Sequence, residues 1–265
     1  MHITKMQGIG NDYIYVNCLD GVPEDLPGLA VRLSDRHFGV GGDGLIAIRP
    51  GVSGDFSMEM YNADGSQGAM CGNGIRCVGK YVYEKGLTRK TCLTIDTASG
   101  PRFLELHLRR GRVEEVTVDM GEPKVLPSLT LEADGETFTV WPVEMGNPHA
   151  VIFCPEPREI PLERVGPKLE CSPQFPGRIN VEFAAPRAWD RLDVRVWERG
   201  SGVTLACGTG ACAVLAAGVK TGRCGRRASV HLPGGVLELD WQRDGGHIFM
   251  TGPAVTVFEA DLEEG

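Results

Sequence analysis

Two runs of the sequence decide the fold: Cys71-Gly72-Asn73-Gly74-Ile75-Arg76-Cys77 and Cys207-Gly208-Thr209-Gly210-Ala211-Cys212-Ala213. The second run begins 136 residues after the first, about half the length of the 265-residue chain. The same offset, with no gap, also pairs Gly10-Asn11 with Gly146-Asn147, Gly41 with Gly177, Val78 with Val214 and Gly86 with Gly222. Agreement of several residues at one offset predicts an internal duplication, with two homologous halves.

Each run lies between a predicted strand and a predicted helix. Apolar and polar residues alternate over residues 56–62 and again over residues 192–198, which is typical of half-buried strands. A glycine-rich turn follows each strand, and the stretch after each cysteine continues to Gly86 or Gly222. Glycine suits the left-handed end of a helix. Both halves therefore have the same predicted order of strand, turn, cysteine and helix.

The remainder of the chain favours an α+β fold with mostly antiparallel sheet. Short strands dominate outside the two runs, and one further helix is predicted over residues 26–37. Repeating strand–helix–strand units are not predicted. We place one half at residues 1–116, together with a C-terminal tail at 253–265, and the other at residues 117–252.

Composition indicates a soluble, cytoplasmic protein that acts on small molecules. The net charge of −8 and a pI near 5.3 argue against nucleic-acid or anionic-membrane partners, which are held mainly by clustered positive charge. The N-terminus lacks an apolar signal core, and the longest apolar stretch, near residues 211–219, is about half of a membrane span.

Cysteine usage predicts reduced thiols and no metal site. Nine cysteines are too few for a disulfide scaffold of this length, and an odd number cannot all be paired. No two cysteines are separated by two residues, and neither close pair is flanked by histidine at zinc-finger spacing.

Two polar residues end the matching strands in phase with the core. Asn62 and Glu198 each share parity with the apolar residues of their strand. A buried amide or carboxylate needs a hydrogen-bond partner, which the backbone at a strand end could provide. Because both residues directly precede a cysteine run, a shared site is the favoured interpretation.

The cysteine runs suggest acid–base chemistry at carbon. Free backbone N–H groups and the helix dipole favour a thiolate at a helix start, so Cys71 and Cys207 are each expected to be a usable base or nucleophile. A single cysteine there could equally be a packed structural residue. If the halves pair about a pseudo-two-fold axis, two thiols face one carbon, and one removes a proton while the other returns one. The helix N–H groups would stabilise the carbanion.

Further short motifs accompany the two runs: Gly10-Asn11-Asp12, Tyr61-Asn62-Ala63-Asp64-Gly65, Gly146-Asn147-Pro148-His149 and Glu198-Arg199-Gly200. Together they resemble the diaminopimelate epimerase family along essentially the whole chain. The paired cysteine runs alone would also suit the related proline racemases, whereas the motifs at Tyr61 and Glu198 favour diaminopimelate. The resemblance implies two pseudo-symmetric halves, each a sheet wrapped around a central helix, with the active site between them.

The resemblance also implies the reaction. It is the reversible conversion of L,L-diaminopimelate to the meso form by a thiolate and a thiol, in lysine and peptidoglycan-precursor biosynthesis. No cofactor is implied, and a homodimer is common in the family. Without pyridoxal phosphate the protein itself must stabilise the carbanion, so exclusion of water should matter.

Site residues follow from the resemblance by matching motif. Cys71 and Cys207 would be the acid–base thiols, and His149 and Glu198 would help them to change protonation state. The reacting carboxylate would be held by Gly72, Asn73, Gly208 and Thr209. The amine groups and the distal carboxylate would be held by Asn11, Asn62, Asn147, Asn180, Glu198 and Arg199, of which arginine matches a carboxylate with two parallel hydrogen bonds. Gly44 is the offset partner of Asn180, so any contact from residue 44 must be through the backbone.

Three alternatives stay open at this level. Gly39-Val40-Gly41-Gly42-Asp43-Gly44 matches the dinucleotide-binding fingerprint, but a helical pattern precedes it and a strand follows it, which is the wrong context. A dithiol redox protein would also have two helix-start cysteines, and would cycle with thioredoxin-type reductants. A non-catalytic amino-acid-binding module would keep Arg199 but would not need both thiols.

Overall fold

The computed structural model describes residues 1–243 and 246–263. The chain divides into one unit of Met1–Val118 with Gly252–Gly265 and a second unit of Asp119–Thr251. The boundaries proposed from the sequence, after residues 116 and 252, differ from these by two residues and by one. Glu264 and Gly265, at the end of the proposed tail, lie outside the described residues.

The first unit combines a mixed sheet with two helices. Its strands are β1 (His2–Gly8), β2 (Asn11–Asn17), β3 (Gly44–Pro50), β4 (Phe56–Asn62), β5 (Gln67–Gly68), β6 (Cys92–Asp96), β7 (Arg102–Arg109) and β8 (Arg112–Asp119), which ends one residue beyond the unit. Its helices are α1 (Leu26–Ser34) and α2 (Gly72–Glu84). β2–β3 and β4–β6 are parallel pairs. The pairs β1–β2, β3–β4, β4–β5, β6–β7 and β7–β8 are antiparallel, and so is the pairing of β1 with the C-terminal strand.

The second unit repeats this plan. Its strands are β9 (Lys124–Val125), β10 (Leu129–Ala133), β11 (Glu136–Glu144), β12 (Pro148–Phe153), β13 (Asn180–Ala188), β14 (Arg191–Glu198), β15 (Gly202–Thr204), β16 (Arg227–Leu232), β17 (Gly235–Trp241) and β18 (Ile248–Pro253), which crosses the second boundary. Its helices are a 3₁₀ turn at Pro157–Glu159, α3 (Leu162–Glu170) and α4 (Gly208–Lys220). The chain then returns to the first unit as β19 (Val255–Asp261).

Strand register confirms the duplication. In each unit a parallel strand pair is followed by an antiparallel pair at the same offset of 136 residues. The paired residues are Tyr13 with Gly44 and Leu45 with Tyr61 in the first unit, and His149 with Asn180 and Val181 with Trp197 in the second. The α+β class and the mostly antiparallel pairing expected from the sequence are therefore confirmed.

The helix after each cysteine is the core of its unit. α2 and α4 are both 13 residues long and are buried over most of their length. α2 packs against β1, β2 and β7, while α4 packs against β11, β12 and β13 among others. A buried cation on α2, Lys80, donates to the carbonyl of Val113 at 2.5 Å and to Glu84 at 3.0 Å, so two of its three N–H donors have partners within the protein.

Helix ends follow local chemistry. Gly86 and Gly222 have φ of 72° and 66°, the left-handed conformation predicted for the residues that end α2 and α4. The prediction that α1 extends to His37 is wrong, because it ends at Ser34. Asp35 Oδ1 accepts hydrogen bonds from the backbone N–H groups of His37 and Phe38, both at 2.7 Å, and this turn replaces the next helical turn.

The glycine-rich loop over residues 39–44 lacks the context of a nucleotide site. It leads into strand β3, whereas the dinucleotide fingerprint opens a helix. The loop instead encloses the buried ammonium of Lys5, which donates to the carbonyl of Gly41 and pairs with Asp12 at 2.7 Å. No helix in the described part of the chain is long and apolar enough to cross a membrane.

Candidate active site

Cys71 and Cys207 are the N-cap residues of α2 and α4. Their backbones are extended, with φ and ψ of −126° and 114° at Cys71 and of −132° and 112° at Cys207. Each sulfur accepts a hydrogen bond from the third residue of its helix, from Gly74 N–H at 3.2 Å and from Gly210 N–H at 3.4 Å. The first turn of a helix leaves several N–H groups without an intrahelical partner, so each cysteine lies beside an anion-binding position.

A side chain at the third helical position would crowd a neighbouring side chain in both units. A Cβ at Gly74 would lie 2.6 Å from Ile46 Cδ1, and a Cβ at Gly210 would lie 2.6 Å from Glu182 Oε1. Ile46 and Glu182 are themselves related by the 136-residue offset. The same strand position therefore supports both helix starts, with an apolar side chain in one unit and a carboxylate in the other.

The thiol of Cys71 is held by an oriented amide. Cys71 Sγ donates to Asn11 Oδ1 at 3.0 Å, and Asn11 Nδ2 donates to Asp43 Oδ2 at 2.7 Å. Because Asp43 takes the amide N–H, the carbonyl oxygen of Asn11 faces the sulfur. Arg36 in turn donates to Asp43 at 3.0 Å and fixes that carboxylate. Asn11 thus lies at the thiol, as the resemblance implies.

The thiol of Cys207 lies in a more acidic and more enclosed setting. Burial raises the pKa of Cys207 well above its usual range, and the carboxylates of Glu198 and Glu182 raise this pKa further. Thr209 Oγ1 lies 3.5 Å from the sulfur. The expectation that the helix start favours a thiolate is therefore wrong for Cys207, because burial and two acidic neighbours outweigh the helix N–H groups.

Glu198 ends its strand beside this thiol. Its carboxylate accepts a hydrogen bond from Thr204 Oγ1 at 2.6 Å, and burial raises the pKa of Glu198. The predicted apolar–polar alternation of this strand is observed, and Glu198 is partly buried at its end. Thr204, which the sequence analysis did not single out, is thus the hydroxyl partner of this acid.

His149 forms a buried cluster with residues of the same unit. Its Nδ1 lies 2.6 Å from Glu182 Oε1 and its Nε2 lies 2.9 Å from Asn147 Oδ1, and His149 and Glu182 are both 0% exposed. Cys207 completes this cluster, with the ligand-type atoms of the three residues within 4.8 Å of one another. In the described residues this is the one group close enough to bind a metal. Two of the atoms that would face an ion, His149 Nδ1 and Glu182 Oε1, are hydrogen bonded to each other, so we treat it as an acid–base cluster.

Arg199 and Asn180 lie together at the start of β13. The backbone N–H of Arg199 donates to Asn180 Oδ1 at 2.9 Å, and Asn180 Nδ2 donates to the carbonyl of Pro148 at 2.9 Å. Both ends of this buried amide are therefore occupied within the protein, and Asn180 positions the backbone of Arg199. The guanidinium of Arg199 is exposed and donates to the carbonyl of Gly177 at 3.0 Å.

Three other positions named by the resemblance differ in what they offer a ligand. Asn62 Nδ2 donates to Ser66 Oγ at 2.9 Å, within the turn that follows β4. Asn73 is 2% exposed and its Oδ1 accepts a hydrogen bond from Arg76 at 2.9 Å, so this side-chain oxygen is engaged within the protein. A Cβ at Gly44 would lie 2.1 Å from the carbonyl oxygen of Tyr61, which excludes any side chain at residue 44 on this backbone.

Besides Thr204, the sequence analysis missed three residues that shape the site: Glu182, Asp43 and Arg76. Arg76 is 0% exposed and donates to the carbonyl of Pro253 at 3.1 Å, which ties the start of α2 to the last residue of β18. A signal for Glu182 was present, because it is the offset partner of the apolar Ile46. A carboxylate where the sister half has a core residue indicates a function that the halves do not share.

Comparison with known proteins agrees with the geometry. The family model described as "Diaminopimelate epimerase" matches residues 3–126 and 142–257. A diaminopimelate epimerase of Parabacteroides distasonis is 52% identical over 265 residues, covering 99% of this chain and 98% of its own. One from Acetivibrio thermocellus is 49% identical over 276 residues, covering 99% of each chain. The crystal structure of a probable proline racemase from Agrobacterium radiobacter has a TM-score of 0.70 at 16% identity, covering 99% of this chain and 92% of its own, which shows a shared fold alone.

Proposed function

Because the chain belongs to the diaminopimelate epimerase family, we propose that it interconverts L,L- and meso-diaminopimelate with Cys71 and Cys207 as its two acid–base groups. The observation that carries the proposal is the paired placement of the cysteines. Each is the N-cap of a buried 13-residue helix, with its sulfur against the first turn. A thiol at a helix start loses its proton far more readily than a serine or threonine hydroxyl, which suits it to proton transfer.

The reaction is a proton transfer at each face of one carbon. A thiolate removes the α-proton, and the thiol on the other side delivers a proton to the carbanion, which inverts the centre. The carbanion lies next to a carboxylate, and its charge needs oriented N–H donors. Backbone N–H groups of Gly72 and Asn73 in one unit, and of Gly208 and Thr209 in the other, supply donors at the two helix starts.

The two thiols differ in their preferred protonation state. Cys207 has a raised pKa and carries its proton in the resting protein, so we assign it the role of acid for the first step. Cys71, whose thiol donates to Asn11 Oδ1 in the free protein, first loses this proton to solvent, and its thiolate then serves as the base. The roles exchange when the reverse reaction runs, since an inverted product presents its proton to the other side.

The stereocentre of diaminopimelate that is not inverted is recognised, in this proposal, by the polar residues around the thiols. We propose that Arg199 holds the distal carboxylate, because Asn180 anchors its backbone and its exposed guanidinium, which donates to the carbonyl of Gly177, can offer two parallel donors. Asn11, Asn62, Asn147 and Glu198 are proposed to hold the amine groups. Asn180 is proposed to act through the backbone of Arg199.

A cofactor-free assay tests the proposal. The reduced protein, dialysed against EDTA and free of pyridoxal phosphate, is expected to convert L,L-diaminopimelate to the meso form at the rate of undialysed protein. Chiral chromatography of the product measures this. L-proline is tested in a parallel assay. If the protein inverts proline and does not act on diaminopimelate, its activity is that of a proline racemase and the proposal is wrong.

The dithiol redox alternative predicts the opposite response to oxidation. All nine cysteines are free thiols in the structure. Oxidation is expected to abolish epimerisation, whereas a redox protein would instead turn over with a thioredoxin-type reductant. The family resemblance also supports a cytoplasmic homodimer, which sedimentation analysis of the purified protein would detect as a species of about twice 28.6 kDa.

A further inference from the structure

Glu182 is a buried carboxylate to which the proposed two-thiol reaction assigns no role. It lies in the middle of the core strand β13, is 0% exposed, and its Oε1 is 2.6 Å from His149 Nδ1. A core carboxylate is costly unless it is hydrogen bonded or shares a proton. Its retention between the core residues Val181 and Phe183 therefore calls for a function.

The hydrogen bonds of His149 fix where its protons are. Asn147 Oδ1 can only accept, so His149 Nε2 carries a hydrogen and donates it across 2.9 Å. The contact between His149 Nδ1 and Glu182 Oε1 at 2.6 Å must then contain a second proton, since a bare nitrogen and a carboxylate oxygen would repel each other. The pair therefore holds one proton that can be lost, whether it resides on nitrogen or on oxygen.

This proton lies next to the sulfur of Cys207. A ring nitrogen of His149, a carboxylate oxygen of Glu182 and the sulfur of Cys207 all lie within 4.8 Å of one another. One water molecule or a small side-chain rotation bridges this distance. Glu182 Oε1 also packs under the first turn of α4, 2.6 Å from where a Cβ at residue 210 would lie. The carboxylate is thus fixed by the helix above it and by the imidazole beside it.

The other unit has no such pair. The offset partners of His149 and Glu182 are Tyr13 and Ile46, neither of which offers a carboxylate or an imidazole. Ile46 packs against the position of Gly74 just as Glu182 packs against that of Gly210. In both units, a side chain at this strand position therefore packs against the start of the helix. At these equivalent positions, a pair that holds a proton is present beside Cys207 and not beside Cys71.

We propose that Glu182 is a positioning residue that, through His149, keeps one proton in reserve for Cys207. This inference rests on the proposed epimerase function. When Cys207 gives its proton to the carbanion, the S–H bond breaks and a C–H bond forms, which leaves a buried thiolate. The reserve proton then moves from the His149–Glu182 contact to the sulfur, leaving neutral imidazole beside an ionised carboxylate.

Over one cycle, one proton is released to water and one is taken up from it, so the protons balance. Cys71, which gained the substrate proton, loses it to solvent, and the His149–Glu182 pair regains one from solvent. Burial and the neighbouring acids make a thiolate at Cys207 unfavourable, which drives the transfer to sulfur. The free enzyme is thereby returned to the state that accepts the next substrate of the same configuration.

Variants that keep one of the two thiols distinguish a proton-supplying role of Glu182 from a purely structural role. Cys71→Ala leaves Cys207 as the one acid–base thiol, and Cys207→Ala leaves Cys71. Each is prepared with and without Glu182→Gln, and loss of the α-proton of L,L- and of meso-diaminopimelate in D₂O is followed by NMR. We expect Glu182→Gln to slow exchange through Cys207 by at least about tenfold and to change exchange through Cys71 by less than about twofold.

Two further measurements identify the mechanism. In the two-thiol enzyme, Glu182→Gln is expected to lower kcat more than kcat/KM, because return of the free enzyme limits turnover at saturating substrate. Adding Glu182→Gln to His149→Asn should cause no further loss, since the carboxylate acts through the imidazole.

Two other variants serve as controls. Glu84→Gln makes the same chemical change at a hydrogen-bonded glutamate of the first unit, and exchange through both thiols should be unchanged. Glu182→Asp keeps an ionisable group and should recover part of the lost exchange, which also covers poor folding of Glu182→Gln. Equal loss through both thiols, no loss through Cys207, or equal rates for the Asp and Gln variants would overturn the inference. Absence of exchange in the unmodified protein would instead overturn the proposed function.

Discussion

Replacement of either Cys71 or Cys207 by serine is expected to lower kcat for epimerisation of L,L-diaminopimelate by at least about 10³-fold, within the range attributed to a positioned acid or base. A serine hydroxyl fits each N-cap and accepts the same helix N–H bond. It is a far weaker acid than a thiol, so neither an anion nor an efficient proton donor is available. The fold should therefore persist while the chemistry is lost.

Measurement of initial rates by chiral chromatography, with circular dichroism on the same samples, tests this expectation. Cys92→Ser changes an exposed free thiol in the first unit and should keep full activity. Retention of more than about a tenth of the rate by either the Cys71 or the Cys207 variant would show that one thiol suffices. A two-thiol mechanism would then be wrong, even if the substrate assignment held.

Replacement of Arg199 by glutamine is expected to raise KM for diaminopimelate by about 10²-fold, with a much smaller change in kcat. Removal of a charge-assisted pair with a carboxylate costs about 2–3 kcal/mol, which corresponds to a factor of that order. The distal carboxylate is held equally in the ground and transition states, so the loss falls on binding. The backbone of Arg199 stays attached to Asn180, because the hydrogen bond uses its N–H group.

Steady-state kinetics of Arg199→Gln beside Arg191→Gln separates this role from general charge. Arg191 lies at the other end of the same strand, where it pairs with Asp193 at 3.2 Å. Its variant should have the KM of the unmodified protein. An unchanged KM for Arg199→Gln, or the same increase for both variants, would remove Arg199 from the substrate site.

The duplication is what made most of the fold predictable. One offset aligned the cysteine runs, and the strand register places Tyr13 opposite Gly44 and His149 opposite Asn180 at that same offset. Local chemistry predicted the left-handed glycines after α2 and α4, but it extended α1 by three residues. Those three residues are the turn around Asp35, whose side chain competes with the helix for the backbone N–H groups.

The candidate site was less predictable because it depends on contacts between distant residues. The resemblance named Asn180 and Asn73 as ligand-binding groups, but their amides are occupied by Arg199, Pro148 and Arg76 within the protein. Motif matching identifies which residues are present, but it does not predict their hydrogen-bond partners. Glu182 was missed for the same reason, since its partner His149 is 33 residues away in the sequence.

Helix position alone also failed to predict thiol chemistry. Both cysteines are N-caps with the same geometry, which favours negative charge. At Cys207, burial and the carboxylates of Glu198 and Glu182 raise the thiol pKa instead. The pKa of a thiol at a helix start therefore depends on the residues that the tertiary fold places around it. The sequence pattern alone does not predict those neighbours.

The central claim is that two different thiols handle the two faces of one carbon, and the isotope content of the first product tests it most directly. Reduced protein is mixed with L,L-diaminopimelate in D₂O, and NMR and mass spectrometry follow both isomers over the first few per cent of conversion. We predict meso product with one deuterium at the inverted carbon, while the remaining L,L substrate stays fully protonated. Meso product that retains the substrate proton would mean that a single group removes and returns it, and would contradict the two-thiol account.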